Sequence, residues 1–273
     1  MAFAPVREDH FPRYAAAMAK SLAEKLFFAP HVDADVFVDF GCADGALLEG
    51  LATLKPGAAL IGYDLDELAL RRARARLGAH PAARTGNAFF SDWDALAAHL
   101  ERLRAGRPLR ICLIVSSVLH EVYAYGGEAE GLRFWQRVSK GPFSDVVLRD
   151  MCISEHEMAE VDTAAAARVR RGADDLGLGA ALAEFEALWG SIARREALVH
   201  FLLKYRYQAN WSRELAENYL PITLEQIMDF CARDFDAEMF DHAALPFLEG
   251  EVARDFGLSF PCATHLKAIL RRS

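Results

Sequence analysis

The fold of this chain is decided by residues 36–54, which read VFVDFGCADGALLEGLATL. The stretch opens with Val36, Phe37 and Val38, and such an apolar, β-branched run is typical of a short buried strand. After Asp39 the chain passes through a turn that contains two glycines. Leucines at three- and four-residue spacing then predict an amphipathic helix. The stretch therefore predicts a strand, a glycine turn and a helix in direct succession.

A second strand is predicted shortly after this helix. Pro56 and Gly57 end the helix, because proline lacks an amide donor and glycine tolerates a positive φ. The apolar run at residues 58–63 then ends in Asp64. Backbone N–H groups at a helix N-terminus bind polar ligand atoms, and a carboxylate about twenty residues further on can accept both hydroxyls of a ribose. The unit therefore predicts a site for a nucleoside cofactor.

The glycine turn and the second strand resemble those of a known family. Residues 38–45 resemble the first motif of class I S-adenosylmethionine (SAM)-dependent methyltransferases, commonly hydrophobic-D-x-G-C-G/A-x-G. Residues 62–66 (GYDLD) resemble their second element, in which the acidic residue holds the ribose. Ala43 stands where many members have a second glycine, and the G-x-G-x-x-G of dinucleotide dehydrogenases is absent from this turn. The resemblance, which is good over residues 36–151, implies SAM as cofactor and S-adenosylhomocysteine (SAH) as product.

The resemblance also implies which residues bind the cofactor. In the family, the residues after the third strand contact adenine, and residues 86–89 are interpreted as the end of that strand. Asn87 fits this role, although an asparagine after a strand is also an ordinary turn residue. The predicted cofactor-binding residues are Asp39, Gly41, Cys42, Ala43, Gly45, Asp64, Leu65, Asn87, Ala88, Phe89, Ser116 and Ser117.

A polar and aromatic segment follows the fourth predicted strand. The apolar run at residues 109–115 (LRICLIV) leads directly into residues 116–126 (SSVLHEVYAYG). Ligands of open α/β sheets bind outside the carboxyl ends of the strands, and the resemblance places acceptor chemistry at this point. The segment is therefore predicted to form the acceptor site.

Three residues of this segment are predicted to be catalytic. His120 is interpreted as a general base for a hydroxyl acceptor, because its ordinary pKa near 6.5 suits proton transfer at neutral pH. Glu121 would orient His120 or hold an acceptor amine, and Tyr123 would form the acceptor wall together with Tyr125. A hydrogen-bonded, structural His120 stays an equal alternative. Residues 120–124 (HEVYA) do not complete the zinc motif H-E-x-x-H, so no metal is predicted.

The order of predicted strands and helices gives the fold class. It predicts an α/β protein with a doubly wound, mostly parallel seven-stranded sheet of the class I methyltransferase type. A helix is predicted over residues 11–28, and residues 264–271 are interpreted as the seventh strand, antiparallel and at the edge. The predicted domains are a SAM-binding domain of residues 1–153 plus 221–273, with an N-terminal helical segment at 1–30, and a helical cap inserted after strand five at residues 154–220.

The insertion is a candidate lid over the acceptor, with an oligomer interface that would support a homodimer as the alternative. Within it, residues 204–213 (KYRYQANWSR) interleave basic and aromatic side chains. This composition suits stacking on a nucleic-acid base beside a phosphate. It equally suits a helix end whose rings pack inward while the cations stay in water. Both interpretations stay open.

Composition limits the classes of function. The 273 residues carry a net charge of −8, which argues against a protein that holds a long polyanion by bulk charge. The five cysteines are scattered, without a C-x-x-C pair, as in a reduced protein. No apolar run approaches the ~20 residues that cross a membrane, and no signal core follows Met1. We therefore expect a cytoplasmic protein without membrane contact, and the Ala/Arg-rich composition resembles that of a bacterium.

These patterns favour one function over two others. The favoured function is a SAM-dependent methyltransferase that moves a methyl group to an oxygen or nitrogen nucleophile of a small molecule held under the helical cap. The first alternative is an RNA or nucleotide methyltransferase that uses residues 204–213. The second is a non-catalytic SAM-binding protein, which predicts either a blocked acceptor cavity or a His120 side chain turned into the core.

Overall fold

The computed structural model describes residues 22–81 and 86–273. Within these ranges seven strands form one sheet in the order β3-β2-β1-β4-β5-β7-β6, and β7 runs antiparallel to both of its neighbours. The strands are β1 (Val36–Phe40), β2 (Ala59–Tyr63), β3 (Ala88–Phe90), β4 (Ile111–Ser116), β5 (Asp145–Met151), β6 (Phe235–Ala243) and β7 (His265–Arg272). The predicted doubly wound, mostly parallel seven-stranded α/β sheet is confirmed.

Helices cover both faces of the sheet and form the insertion. The α-helices of the described ranges are α1 (Leu22–Lys25), α2 (Ala46–Leu54), α3 (Glu67–Gly78), α4 (Trp93–Arg104), α5 (Leu119–Lys140), α6 (Glu155–Ala159), α7 (Thr163–Asp175), α8 (Gly179–Trp189), α9 (Arg195–Lys204), α10 (Trp211–Ala216), α11 (Leu224–Cys231) and α12 (Pro246–Phe256). Most of the helix predicted over residues 11–28 lies outside the described residues, and α1 is the part that is seen. None of the described helices combines the length and apolarity needed to cross a membrane.

The strand order reverses at β1, and this reversal positions the site. β1 pairs in parallel with β2 on one side, Val36 opposite Ala59, and with β4 on the other, Val36 opposite Ile111. All five β1 residues are buried, because helices cover both faces of the sheet. The turns after β1 and β4 therefore lie side by side at the carboxyl edge. A crevice at such a reversal is where open α/β sheets bind ligands.

The side chains of β1 pack alternately into two apolar layers, one on each face of the sheet. Val36, Val38 and Phe40 pack into one cluster, while Phe37 packs into the cluster on the opposite face. The period of two follows from the pleat, which points successive side chains to opposite faces. The apolar run that decided the fold in the sequence is thus the centre of both layers.

The prediction that the seventh strand lies at the edge is wrong. β7 lies between β5 and β6, pairing Met151 with His265 on one side and Phe235 with Arg272 on the other. The burial of the two strands agrees with this order, since most β7 side chains are buried and most β6 side chains are exposed. The apolar residues of the seventh strand therefore belong to an interior strand of the sheet, and β6 is the edge strand.

An apolar cluster joins the insertion to α12. Its core is formed by buried residues of α7, α8 and α9, such as Phe185 and Phe201, together with Val252 and Phe256 of α12. Since α12 follows β6, this cluster joins residues on both sides of the predicted boundary at residue 220. The division into a SAM-binding domain and a helical cap stays a prediction.

Candidate cofactor and acceptor site

A cavity of about 620 Å³ lies at the carboxyl ends of the central strands. Its wall is built by the turns after β1, β2, β3 and β4, by α1 and α5, and by Arg213 of α10. The predicted site residues that line it are Asp39, Gly41, Cys42, Ala43, Asp64, Leu65, Ser116, Ser117 and Glu121. The structure therefore brings together most of the residues that the sequence assigned to the cofactor.

The turn after β1 is tied to the end of β2 by one carboxylate. Asp64 accepts a hydrogen bond from the N–H of Ala43 at 2.8 Å and another from the N–H of Asp66 at 2.9 Å. Burial raises the pKa of the Asp64 carboxyl, and these two N–H donors oppose the rise. A carboxylate has about four lone-pair sites, so Asp64 can also accept hydroxyl groups from the cavity. Its position matches that predicted for a residue that holds a ribose.

Glycine is required in the turn at position 45. Gly45 has a φ of +78° and caps α2, and an added Cβ would lie 2.9 Å from the Cβ and 3.0 Å from the Cα of Ala73 in α3. Gly45 is outside the cavity lining, but it lets α3 pack closely against the turn. Its predicted role in cofactor binding is therefore indirect, through the position of the turn.

Substitution of Gly45 by alanine is expected to lower the free energy of unfolding by about 2–4 kcal/mol, since a positive φ and an overpacked contact each cost about 1–3 kcal/mol. Gly57→Ala is the matched control, because nothing lies within 4 Å of a Cβ there. Urea unfolding of both variants measures the effect. Equal stability of the two variants would contradict the packing argument.

Arg76 is a positioning residue behind the cavity wall that the sequence did not reveal. Its guanidinium donates to the backbone oxygen of Asp44 at 3.0 Å and to the carboxylate of Glu49 at 2.8 Å, and it forms an ion pair with the Asp44 carboxylate. These contacts fix the glycine turn from the side of α3. The spacing of charges along α3 carries no signal for them, because the partners belong to the preceding β-α unit.

The prediction that Asn87 follows the third strand is wrong. β3 begins at Ala88, so Asn87 lies at the amino end of the strand, where its Oδ1 accepts from the N–H of Leu60 at 3.0 Å. Ala88 and Phe89 lie within β3 and outside the cavity lining. The apolar Phe89-Phe90 pair belongs to the strand itself. The residues after β3 that do line the cavity are Ser91, Asp92, Trp93 and Asp94.

Opposite charges stand together in another part of the cavity wall. Asp39 and Lys25 both line the cavity and are 3% and 7% exposed. Burial raises the pKa of Asp39 to about 7, and the charge of Lys25 opposes the rise. Burial lowers the pKa of Lys25 to about 8, and the charge of Arg149 lowers it further. A buried carboxylate beside a buried ammonium suits a ligand that itself carries both charges, such as an α-amino acid. The sequence did not reveal Lys25 as a cavity residue, because no known sequence motif marks α1.

The turn after β4 contributes two serines of different character. Ser117 has a φ of +58°, and its hydroxyl accepts from Arg149 at 2.6 Å. The hydroxyl of Ser116 is buried and has no hydrogen-bond partner among the residues that the structure describes. A buried polar group of this kind calls for a partner from a ligand or water. Both serines line the cavity, as predicted for cofactor-binding residues.

His120 is not found at the acceptor mouth, where the sequence placed it. The side chain is buried, with Nδ1 2.6 Å from Oδ1 of Asp150 and Nε2 3.4 Å from Oε1 of Glu217. Burial lowers the pKa of His120, but Asp150 and Glu217 outweigh this effect and hold the pKa well above 6.5. An imidazole that is already protonated cannot accept a proton. This geometry matches the structural alternative for His120.

The other two predicted catalytic residues differ in position. Glu121 lines the cavity, and its Oε1 is 3.6 Å from Nη2 of Arg213. Burial raises the pKa of the Glu121 carboxyl to about 7, and His120 opposes the rise. Tyr123 lies outside the lining, and its hydroxyl accepts from Nε1 of Trp135 at 2.9 Å. Of the two tyrosines expected in the acceptor wall, Tyr125 lines the cavity.

The first two residues of the basic and aromatic segment at residues 204–213 pack inward. Lys204 is fully buried, donates to the backbone oxygens of Glu214 and Glu217, and lies 4.8 Å from the ring centroid of Tyr219. Tyr205 is also buried and donates from its hydroxyl to an aspartate of α12. Within the segment, Arg213 lines the cavity. The inward ring of Tyr205 agrees with the packing interpretation, but the buried ammonium of Lys204 does not, because that interpretation left the cations in water.

Comparison with known proteins gives matches at the level of structure. No protein-family model and no curated protein sequence matches the chain. The chain is similar to the methyltransferase domain of bacterial CtHen1, with a TM-score of 0.51 and 12% identity over 93% of this chain and 97% of that one. It is also similar to the pyocyanin biosynthetic protein PhzM, with a TM-score of 0.53 and 16% identity. A third similar structure is an O-methyltransferase family protein from Burkholderia thailandensis, with a TM-score of 0.51 and 13% identity.

The extent of these matches limits what they show. The last two cover 97% of this chain, but this chain spans only 59% and 58% of those two. At identities of 12–16% a structural likeness concerns the fold, not the substrate. Together with the strand order and the cavity at its reversal, the matches establish that this chain has the fold of class I SAM-dependent methyltransferases.

Proposed function

We propose that this protein is a SAM-dependent methyltransferase that acts on an oxygen or nitrogen atom of a small molecule. The observation that carries the proposal is the cavity at the strand reversal, because one space is faced by Asp64, by the Lys25–Asp39 pair and by the hydroxyl of Ser116. Each of these groups can bind a different part of the same cofactor.

The cavity wall fits SAM group by group. Asp64 would accept the ribose hydroxyls, as the sequence predicted. Lys25 and Asp39 would bind the carboxylate and the ammonium of the methionine part, since opposite charges attract most strongly where water is excluded. Asp92 and the backbone of Trp93, which follow β3, would contact adenine in place of Asn87. When bound, SAM supplies a methyl group on a positively charged sulfur.

The residues after β4 would hold the acceptor. Glu121, Tyr125 and Arg213 offer a carboxylate, a phenol and a guanidinium to the same cavity. Positioning of a nucleophile against the reacting carbon can supply about 7–11 kcal/mol of the barrier, so binding and orientation are the main task of these side chains. The insertion, through Arg213, would thus form part of the acceptor wall.

The alternatives are weaker on particular observations. An RNA acceptor bound by residues 204–213 could not contact Lys204 or Tyr205, because both side chains are buried. A non-catalytic SAM-binding protein predicted a blocked cavity or an inward His120. His120 is indeed inward, but the cavity of about 620 Å³ is not blocked. A cytoplasmic location, and a homodimer formed through the insertion, stay predictions.

Calorimetric titration of the purified protein with SAM, SAH and NAD tests the proposal. We expect micromolar binding of SAM and SAH and no binding of NAD, since the glycine turn lacks G-x-G-x-x-G and the cavity wall suits an amino-acid zwitterion. Binding of NAD alone, or of none of the three, would leave the fold and remove the function.

A further inference from the structure

Three metal-ligand atoms converge where the insertion meets the sheet. Nε2 of His120, one carboxylate oxygen of Glu121 and one of Glu217 all lie within 4.8 Å of one another. The distance from Nε2 of His120 to Oε1 of Glu217 is 3.4 Å. Two atoms bound to one ion at about 2.1 Å each are at most ~4.2 Å apart. Small side-chain rotations would therefore place all three on one ion.

The imidazole is oriented as in metal-bound histidines. Nδ1 of His120 contacts Oδ1 of Asp150 at 2.6 Å. The other oxygen of Asp150 accepts from the N–H groups of Val118 at 2.9 Å and Leu119 at 2.6 Å, so this carboxylate is fixed. A carboxylate on one ring nitrogen selects the tautomer that leaves the other nitrogen free to bind a metal. Nε2 is the nitrogen that contacts Glu217.

The opposite side of the cluster is equally well fixed. Glu217 is 3% exposed, and its backbone oxygen accepts from the ammonium of Lys204 and lies 3.3 Å from Nε2 of His200. These buried contacts hold the end of α10 against α9. The Glu217 carboxylate is therefore presented by a rigid part of the insertion, as a metal ligand requires.

The cluster carries an excess of negative groups. The carboxylates of Glu121, Asp150 and Glu217 face one guanidinium, that of Arg213, which is 3.6 Å from both glutamates. Arg213 offsets part of this negative charge, and the ammonium of Lys204 also acts on Glu217. A divalent ion bound in place of a proton on His120 would add positive charge next to the three carboxylates. A proton on His120 is the competing but smaller compensation.

We propose that His120, Glu121 and Glu217 bind a divalent cation, with Asp150 orienting the histidine. One imidazole nitrogen with two carboxylate oxygens suits a cation of intermediate hardness such as Mn²⁺ or Zn²⁺. Of the three ligands Glu121 lines the cavity, and through this side an ion would take an oxygen atom of the acceptor as a further ligand. We infer that the acceptor atom is a hydroxyl oxygen, because metal coordination lowers the pKa of a hydroxyl group. This step rests on the proposed function.

Titration with Mn²⁺, followed by the loss of the electron paramagnetic resonance signal of the free ion, tests the site. We expect one Mn²⁺ per chain in the parent protein, displaced by Zn²⁺. Glu121→Gln is expected to weaken Mn²⁺ binding at least ~10-fold, because even the groups that orient metal ligands are worth about 10–100-fold. His156→Ala is the matched control, since His156 and Glu160 form an exposed pair with 3.7 Å between Nε2 and Oε1. This control should bind Mn²⁺ as the parent does.

The outcomes separate the metal site from the cofactor site. No binding of Mn²⁺ or Zn²⁺ by the parent, or equal binding by Glu121→Gln, would overturn the metal proposal. If Glu121→Gln does not fold, Glu217→Gln takes its place in the same comparison. SAH titration of the same preparations provides the second readout. If the parent protein does not bind SAH, the proposed function is refuted. The metal site is decided by the Mn²⁺ data alone.

Discussion

Asp64→Ala is expected to weaken SAH binding by about 100-fold. The carboxylate holds the N–H of Ala43 in the glycine turn and the N–H of Asp66 at the start of α3. The variant therefore loses both the ribose acceptor and the link that shapes the turn. A hydrogen bond to a charged group is worth about 1.5–3 kcal/mol, and ~2.8 kcal/mol corresponds to 100-fold in affinity. Calorimetric titration with SAH measures the loss directly.

The control for this variant is another aspartate that accepts a hydrogen bond from a backbone N–H group. Asp162 caps α7 and accepts from the N–H of Ala165 at 2.8 Å, and it lies outside the cavity lining. Asp162→Ala should lose about 1 kcal/mol of stability, as helix caps do, and keep its affinity for SAH. If Asp64→Ala binds SAH as tightly as Asp162→Ala, the cofactor geometry argued from the turn is incorrect.

Asp150→Ala is expected to lower the free energy of unfolding by about 3–5 kcal/mol, the usual cost of leaving a buried charge without its partner. The substitution leaves His120 without the carboxylate on its Nδ1, and it removes the acceptor for the N–H groups of Val118 and Leu119. Urea unfolding in the presence of EDTA measures the effect without a contribution from bound metal. Asp150→Asn keeps the shape and one acceptor oxygen, so it should recover part of the loss. Full recovery would show that the charge of Asp150 contributes nothing.

The same pair predicts a dependence on pH. The folded-state pKa of His120 is raised above 6.5, so its stabilising effect is complete below pH 6.5 and is lost as the pH rises through the folded value. The pKa of Asp150 is lowered from 3.8, so its effect is complete above pH 3.8 and is lost as the pH falls through the folded value. In the presence of EDTA, which keeps metal ions off His120, the difference in unfolding free energy between the parent and Asp150→Ala should therefore be largest between pH 3.8 and 6.5. A difference that grows above this window would contradict the ion pair.

Local signals in the sequence were sufficient for the centre of the fold. The strand, turn and helix predicted over residues 36–54 depend on neighbouring residues, and the structure has β1 and α2 there. The capping box of Thr223 and Gln226 at the start of α11 is local in the same sense, because its two hydrogen bonds join residues three apart. The Asp64 position followed from the same local pattern.

Residues brought in from a distance could not be found in this way. Lys25 reaches the cavity from α1, and Arg76 reaches the glycine turn from the next unit. Glu217 lies near the end of the insertion and contacts His120, which is 97 residues earlier in the chain. The absence of H-E-x-x-H therefore gave no information about this cluster. The error at Asn87 has a different cause, since β3 has only three residues and an apolar run that short does not define where the strand ends.

The place of β7 between β5 and β6 has a consequence for the growing chain. β5 and β6 are both synthesised before the strand that joins them, and roughly a hundred residues separate β5 from β7. At about 5–20 residues per second, these residues take on the order of ten seconds to emerge from a ribosome. During that interval the outer edge of β5 has no neighbour, and an unpaired edge strand is a template for pairing with other chains. Completion of the sheet is thus a late event in the synthesis of this protein.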